Sequence, residues 1–282
     1  MMMKFYNTKN FMNNNRIIPN LDGIILKIQI IGLGVVGAAQ ADLMHTLGHK
    51  VIGYDPYNHP AFIQEKVTFV ETPITDADIT FICVPETIVE DIVQMLVEKK
   101  SQGLIVTKST VPIGTTRKLS EKHSIHISNN PEFLREEHVI YDVYNPGRIL
   151  IGECCPTHGK LLSSLYESLH IETFIASQTE TETIKIVSNT LKAYMITFWN
   201  NINELCETLD ISTKNVSNLL NPEKTLYVWG DWGGGAKFFG KPYSGKCLPK
   251  DLKQLINILQ ENNVDSTIFT TIQEYNNRIK TT

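Results

Sequence analysis

Cys247 lies between two lysines in the run Ser244-Gly245-Lys246-Cys247-Leu248-Pro249-Lys250-Asp251, a glycine-bearing loop just ahead of a helical stretch. The thiolate is the nucleophilic form of cysteine, and nearby cations and a helix N-terminus stabilise it. Asp251 follows four residues later, close enough in the chain to share the site. A nucleophile with a carboxylate beside it is the composition of a covalent catalytic centre. A lone cysteine is more often packed or incidental, and these neighbours by themselves do not decide between the two readings.

The second chemical signature is Gly32-Leu33-Gly34-Val35-Val36-Gly37, a G-x-G-x-x-G run. Alone it is weak. Here it follows an apolar strand, opens a helix, and has Asp55 at the end of the next strand, 23 residues after Gly32. That context is the dinucleotide-binding fingerprint. Gly32 permits the tight turn, Gly34 lets a pyrophosphate approach the backbone, and Gly37 lets helix and strand pack closely. The N–H groups of Val35, Val36 and Gly37 and the helix dipole then face the phosphates. Asp55 is expected to accept hydrogen bonds from the adenosine ribose and to repel a 2′-phosphate, which favours NAD over NADP. A tight turn in an α/β domain that binds nothing is the bland alternative.

These residues need a scaffold. Residues 27–32 and 50–54 read as strands around a helix at 35–47, one βαβ unit. Further short apolar runs follow at 67–70, 79–84, 103–108, 125–128, 148–152 and 172–176, with helical stretches at 87–99 and 157–168 among them. The expectation is a Rossmann-type, doubly wound, mostly parallel sheet covered on both faces. From 181 to 209 the pattern becomes one long connecting helix, with Val187, Leu191, Tyr194, Phe198, Ile202, Leu205 and Leu209 at spacings of three and four. Helices at 211–220 and 250–261 and a glycine- and aromatic-rich loop between them complete an all-helical second domain. The organisation expected is a loose tail over 1–26, an NAD-binding domain over 27–180 and a helical domain over 181–282.

Composition narrows the class. A formal net charge of -4 offers no cationic surplus for nucleic acid or an anionic membrane. No apolar run reaches the roughly 18 residues of a membrane span, and the Asn- and Met-rich start lacks the apolar core of a signal peptide. Five cysteines, none in C-x-x-C spacing, argue against structural zinc and a disulfide framework and fit a reducing cytoplasm. Cys83 reads as a strand residue of the core and Cys206 as packed on the long helix. Cys154 and Cys155 are adjacent and expected to point apart. No metal is expected.

Further segments extend the pattern: Ser109-Thr110-Val111-Pro112-Ile113-Gly114-Thr115-Thr116, Asn130-Pro131-Glu132-Phe133-Leu134-Arg135-Glu136, Glu182-Thr183-Ile184-Lys185-Ile186-Val187-Ser188-Asn189, and Asn203-Glu204. With the stretch from Ser244 to Asp251 they resemble, in order, S-T-V-P-x-G-T-T, N-P-E-F-L-x-E, E-x-x-K-x-x-x-N, N-E and G-G-S-C-F-P-K-D of the UDP-glucose/GDP-mannose 6-dehydrogenase family. The resemblance runs from about residue 27 to 280 and raises Cys247 above its stand-alone standing. It implies oxidation of a sugar-nucleotide C6 alcohol to the carboxylate, with four electrons passing to two NAD molecules, in polysaccharide biosynthesis. It implies that Cys247 carries a thiohemiacetal and then a thioester, that Lys185 and Asn189 stabilise charge on the reacting oxygen, and that Asp251 and Thr110 handle protons and position water. Glu132 is implied to assist thioester hydrolysis and, with Phe133 and Leu134, to contact substrate. Pro85, Thr110, Glu136 and Lys250 are implied on the cofactor side, and a homodimer through the long helix. Apart from the resemblance, Lys185 and Asn189 read as a solvated helix face.

Two departures stand out. The family has a further C-terminal α/β domain that helps hold the nucleotide, whereas this chain stops at 282, and the stretch between Asp55 and the strand at 79–84 is shorter than the family norm. A partner chain that completes the site, a substrate without a nucleotide, and loss of catalysis are each compatible with that. Two alternatives therefore stand beside the leading reading. One is a two-electron dehydrogenase of the 6-phosphogluconate or 3-hydroxyacid type, which needs no cysteine. The other is a non-catalytic NAD-binding protein descended from a dehydrogenase.

Overall fold

The computed structural model describes residues 24–135, 138–220 and 240–280. Glu136, most of the N-terminal tail and most of the glycine-rich loop lie outside the described residues. The chain divides into two compact units, Met1–Lys185 and Ile186–Thr282.

The first unit is built on strands β1 (Lys27–Ile31), β2 (Lys50–Tyr54), β3 (Thr68–Phe69), β4 (Ile79–Ile82), β5 (Leu104–Thr107), β6 (Ile127–Asn129), β7 (Ile149–Glu153) and β8 (Thr173–Ser177). They form one sheet in the order β3-β2-β1-β4-β5-β6-β7-β8. Strands β1 to β6 pair in parallel; β7 joins β6 antiparallel through the single register pair Asn129↔Gly152, and β8 runs parallel to β7. Strand order reverses between β1 and β4, and at such a switch point a crevice opens at the carboxyl ends of the strands.

The strands are short continuous apolar runs because both faces are covered. Alternate residues divide between two cores. Ile28, Ile30, Phe81, Val106 and Ile151 pack with helices α1 (Val35–Thr46) and α5 (Pro156–Leu165). Ile31, Ile82, Ile105 and Ile127 pack with α2 (Val89–Glu98) and with Leu119 of α3 (Thr115–His123). Each such fully buried side chain stabilises by about 1.5–3 kcal/mol. A short α4 (Val139–Tyr144) packs on α1. The sequence reading left α3 and α4 unassigned, since α3 has a single buried leucine and little apolar rhythm.

The long helix is α6 (Gln178–Thr208). At its start Glu182 is buried and accepts hydrogen bonds from the Gly114 N–H (2.6 Å) and the Thr116 N–H (2.8 Å). A carboxylate at the N-terminus of α3 satisfies two of its orphan donors. Burial pushes the Glu182 carboxyl up, and these hydrogen bonds only partly offset that. The pairing explains why the Ser109–Thr116 segment and Glu182 belong to one structure.

The second unit holds the rest of α6, then α7 (Thr213–Leu220), α8 (Leu248–Glu261) and α9 (Thr267–Lys280). Ala193, Ile196, Tyr243, Leu252, Ile256 and Ile272 form its core. The sequence reading did not assign α9, whose buried residues are only Ile272 and Asn276. Asn276 nonetheless fixes the approach to Cys247: its side chain accepts from the Tyr243 N–H (2.8 Å) and donates to the Tyr243 carbonyl (3.1 Å). Asn200 of α6 donates to the Lys241 carbonyl at 2.7 Å. Among the described residues no helix is long and apolar enough to cross a membrane.

Candidate active site

The glycine loop joins β1 to α1. Gly32 has φ +89°, a conformation that favours glycine, and a Cβ on Gly37 would collide with the Gly32 carbonyl. Around Gly34, by contrast, a Cβ would meet nothing within 4 Å, so the backbone there is open to a ligand. The first bond of α1 runs from the Ala38 N–H to the Gly34 carbonyl, which leaves the Val35, Val36 and Gly37 amides at the helix mouth. No acidic residue sits in that first turn to oppose an anion.

Asp55 is buried just past β2 and is more heavily engaged than the sequence reading expected. Its Oδ2 accepts from the Leu33 N–H of the glycine loop (2.7 Å) and from Asn58 Nδ2 (3.1 Å), and its Oδ1 from the Tyr57 and Asn58 N–H groups (2.8 and 2.9 Å). Burial alone would push the carboxyl up; these hydrogen bonds together outweigh it and hold the group below the usual carboxylate range. Asp55 therefore both fastens the loop and carries a fixed negative charge at the strand end. A cleft of about 300 Å³ beside it is lined by Tyr54, Asp55, Pro56, His59, Phe69, Val70 and Glu71. An open glycine backbone, unopposed helix amides and a carboxylate beside a cleft together fit a dinucleotide with an unphosphorylated ribose.

The carboxyl ends of β4, β5 and β6 supply the rest of the first unit's candidates. Pro85 follows β4 and caps a single turn. Ser109, past β5, donates to the Val84 carbonyl (2.6 Å), which ties the two strand ends together, and Thr110 is the next residue. Glu132, past β6, is paired with Lys185: the ammonium lies 3.0 Å from Glu132 Oε1 and donates to the Glu132 carbonyl at 2.6 Å. Oε2 accepts from the Leu134 N–H at 2.7 Å. The Phe133 ring faces two cations, with Arg148 at 4.8 Å and Lys185 at 5.1 Å from its centroid. Burial pushes the Glu132 carboxyl up, but the Lys185 charge and hydrogen bond, the Leu134 amide and the Lys108 charge more than reverse this.

Lys108 is a residue the sequence reading passed over. It is fully enclosed past β5, donates to Asn130 Oδ1 at 2.9 Å, and interacts electrostatically with Glu132 and Lys185. Burial lowers its pKa to about 8. The available signal was a lysine at the carboxyl end of a buried strand, directly before Ser109 and Thr110. Cys83, nearby, is an unsuitable nucleophile because burial raises its thiol to about 12.

In the second unit Asn189 and Asp251 meet. Asn189 Nδ2 donates to Asp251 Oδ2 at 2.6 Å. Asp251 is completely buried, and its Oδ1 has no hydrogen-bond partner among the described residues, although Lys250 Nζ lies 3.2 Å away in a poorly aligned ion pair. Cys247 is exposed at the N-cap of α8, and the Asp251 N–H closes the first helical turn onto its carbonyl. Pro249 sits in that first turn, where a missing N–H costs nothing. Lys185 and Asn189 stand four residues apart on α6 and are both buried, not solvated as the residues alone had indicated.

Residues 64–170 match the model of the UDP-glucose/GDP-mannose dehydrogenase family, NAD binding domain, and residues 179–278 match that of its central domain. Residues 5–98 also match the NAD binding domain of D-isomer specific 2-hydroxyacid dehydrogenases. A UDP-glucose 6-dehydrogenase of Bacillus subtilis is 28% identical over 298 residues, covering 89% of this chain and 66% of its own. A GDP-mannose 6-dehydrogenase of Pseudomonas aeruginosa is 26% identical, covering 82% and 63%. The solved UDP-glucose dehydrogenase of Pyrobaculum islandicum superposes with a TM-score of 0.78 at 25% identity, covering 90% of this chain and 68% of that one. The chain thus spans about two thirds of the length of these relatives.

Proposed function

For a chain that belongs to the UDP-glucose/GDP-mannose dehydrogenase family and carries its NAD-binding domain, we propose the NAD-dependent oxidation of a sugar-nucleotide C6 alcohol to the carboxylate. The observation that supports it most is the arrangement at α8: an exposed cysteine at the N-cap, with a buried carboxylate one turn later held by Asn189. In balance, the alcohol, one water and two NAD yield the carboxylate, two NADH and three protons.

The glycine loop and Asp55 would hold NAD, which would supply the hydride acceptor for both oxidations. The protein's residues do the remainder. Cys247 adds its thiolate to the C6 aldehyde, forming the C–S bond of a thiohemiacetal, and the second oxidation converts that adduct to a thioester. Lys185 and Asn189 stabilise negative charge on the reacting oxygen. Asp251 accepts and returns protons, with Thr110 positioning water. Glu132 draws a proton from the hydrolytic water, whose oxygen displaces the Cys247 thiolate. Lys250, beside Asp251, supplies positive charge to the site.

Incubation with NAD and a panel of UDP- and GDP-sugars, with NADH counted per product, tests this reading. Two NADH per acid supports it. One NADH per ketone or aldehyde favours a two-electron dehydrogenase, and tight NAD binding without turnover favours a binding protein.

NAD should bind at least tenfold tighter than NADP, a difference of about 1.4 kcal/mol. A 2′-phosphate beside the ionised Asp55 costs at least that much. Calorimetric titration with both cofactors decides it, and equal affinities would refute the assignment. Because Asp55 also holds Leu33, Asp55→Asn is the informative variant: the preference should narrow while the loop keeps some of its hydrogen bonds.

We further propose a homodimer through α6. Val187, Leu191, Tyr194, Phe198 and Leu205 are all exposed, as is Leu209 just past the helix, while the opposite face of the helix is buried. Such an apolar stripe marks an interaction surface. Light scattering at tens of micromolar should give twice the chain mass, and Leu191→Glu with Phe198→Glu should give monomers. A monomeric wild type would rule the dimer out.

A further inference from the structure

His126, Cys154, Cys155 and His158 bring their ligand atoms within 4.8 Å of one another. Sequence spacing hid this, because His126 lies 28 residues before Cys154. Cys154 Sγ is 3.5 Å from His126 Nδ1 and 3.2 Å from His158 Nδ1, and Cys155 Sγ is 3.4 Å from the same His158 nitrogen. The two imidazoles stand edge to face, 4.8 Å between centroids. From this we infer that the four residues form a tetrahedral Cys₂His₂ site for a zinc-type divalent cation.

Bond lengths of about 2.3 Å to sulfur and 2.0–2.1 Å to nitrogen give a tetrahedron whose sulfur–nitrogen edges are about 3.6 Å. The three sulfur–nitrogen separations here lie close to that value. Closing the widest pair needs a movement of about 1 Å, small beside the freedom of a histidine side chain. Two thiolates with two imidazoles are the donor set that selects zinc over the hard cations. The support a thiolate ligand needs is also present: Ser128 on β6 donates its hydroxyl to Cys154 Sγ at 3.4 Å. His126 is exposed, and it lines with His158 an open depression bounded by Asp76, Lys100 and Ser124, which gives an ion a path from solvent.

Topology sets the role. His126 precedes β6, whereas Cys154 and Cys155 follow the antiparallel β7, so all four ligands gather at the amino-terminal edge of the parallel strands. The glycine loop and Asp55 follow the carboxyl ends of β1 and β2, at the opposite edge. The ion would therefore not touch reacting atoms. It would bridge the β6–β7 seam, where the ladder is reduced to the pair Asn129↔Gly152, and tie α5 to it through His158. Cys155, at the N-cap of α5, makes no side-chain cap bond, and its sulfur turns to His158 instead.

Reduced, chelator-treated full-length protein should bind one Co²⁺ per chain, with the visible absorption of tetrahedral cobalt and a thiolate charge-transfer band, and Zn²⁺ should displace it. Cys154→Ser and His126→Gln should each weaken Zn²⁺ binding at least 100-fold and abolish or alter the spectrum. NAD affinity, a check that the fold is intact, should stay within twofold. Zn²⁺ should raise the melting temperature of the wild type and not of the variants. Cobalt binding that persists unchanged in both variants would place the metal elsewhere and overturn the proposal. So would wild-type affinity no greater than that of Cys154→Ser, or two thiols lost to a Cys154–Cys155 disulfide that reductant does not reopen.

Discussion

Cys247→Ser should abolish acid formation, lowering its rate by about 1000-fold or more, while NAD binding stays at the wild-type level. A serine hydroxyl is a poor nucleophile at neutral pH, whereas a thiolate is available in useful amounts. In the structure the side chain is exposed at the start of α8, so the substitution removes a reactive atom without opening a cavity. The first oxidation needs a proton acceptor and a positioned alcohol, neither of which is Cys247. The variant should therefore release at most one NADH per turnover, where the wild type releases two per acid. Rapid-mix measurement of NADH alongside product analysis reads both. Acid made by the serine variant at the wild-type rate would remove Cys247 from the mechanism and favour two-electron chemistry.

Lys185→Ala should cost both activity and stability, and the two losses are separable. Removing one donor to a developing oxyanion typically slows reaction about 100- to 1000-fold. Removing Lys185, itself buried, also strands Glu132, which is largely enclosed with its carboxylate on that ammonium. Breaking a buried pair by deleting one partner destabilises by about 3–5 kcal/mol, whereas replacing both partners is far milder. The double variant Lys185→Met with Glu132→Gln should thus recover most of the stability of wild type and none of its activity. If the double variant is as unstable as Lys185→Ala, the pair is not what holds this region. The pH dependence follows from the same geometry. Glu132 titrates below the usual carboxylate range, so its stabilising contribution is present above about pH 4.5, the unperturbed value, and is lost as pH falls through the lowered one. In Lys185→Ala the supporting charge is gone, so denaturation midpoints of variant and wild type should converge toward acid pH.

Much of the first unit was legible in order of residues alone. The glycine loop needs its three glycines at fixed offsets, and Asp55 its place at the next strand end, because backbone geometry over a βαβ unit is local. The alternation of short apolar runs with helices likewise announced a covered, mostly parallel sheet, and the three- and four-residue rhythm from Val187 to Leu209 announced a long helix. The rhythm did not say which way its apolar face points. The structure buries Ile186, Asn189, Ala193 and Ile196 and turns Val187, Leu191 and Tyr194 outward, so the helix's most regular apolar stripe is the one it leaves uncovered.

Tertiary structure decided what depends on partners distant in the chain. Cys247, Asp251 and the Lys185–Asn189 spacing could be read as helical offsets of four. That Lys185 rests on Glu132, 53 residues away, and Asn189 on Asp251, 62 away, could not. Lys108 looked like an ordinary charged residue until the strand ends around it closed off water. Asp55 was read as a ribose ligand only; the fold also makes it the anchor of the loop, because β1 and β2 are neighbours and bring the Leu33 N–H to its carboxylate. The reversal of β7 and β8 sets His126 against Cys154 and His158 in the same way, across a seam between strands that no periodicity in the chain encodes. Local spacing fixes which residues share a turn or a strand face. Desolvation and the pairing of charges are properties of what the fold packs around them.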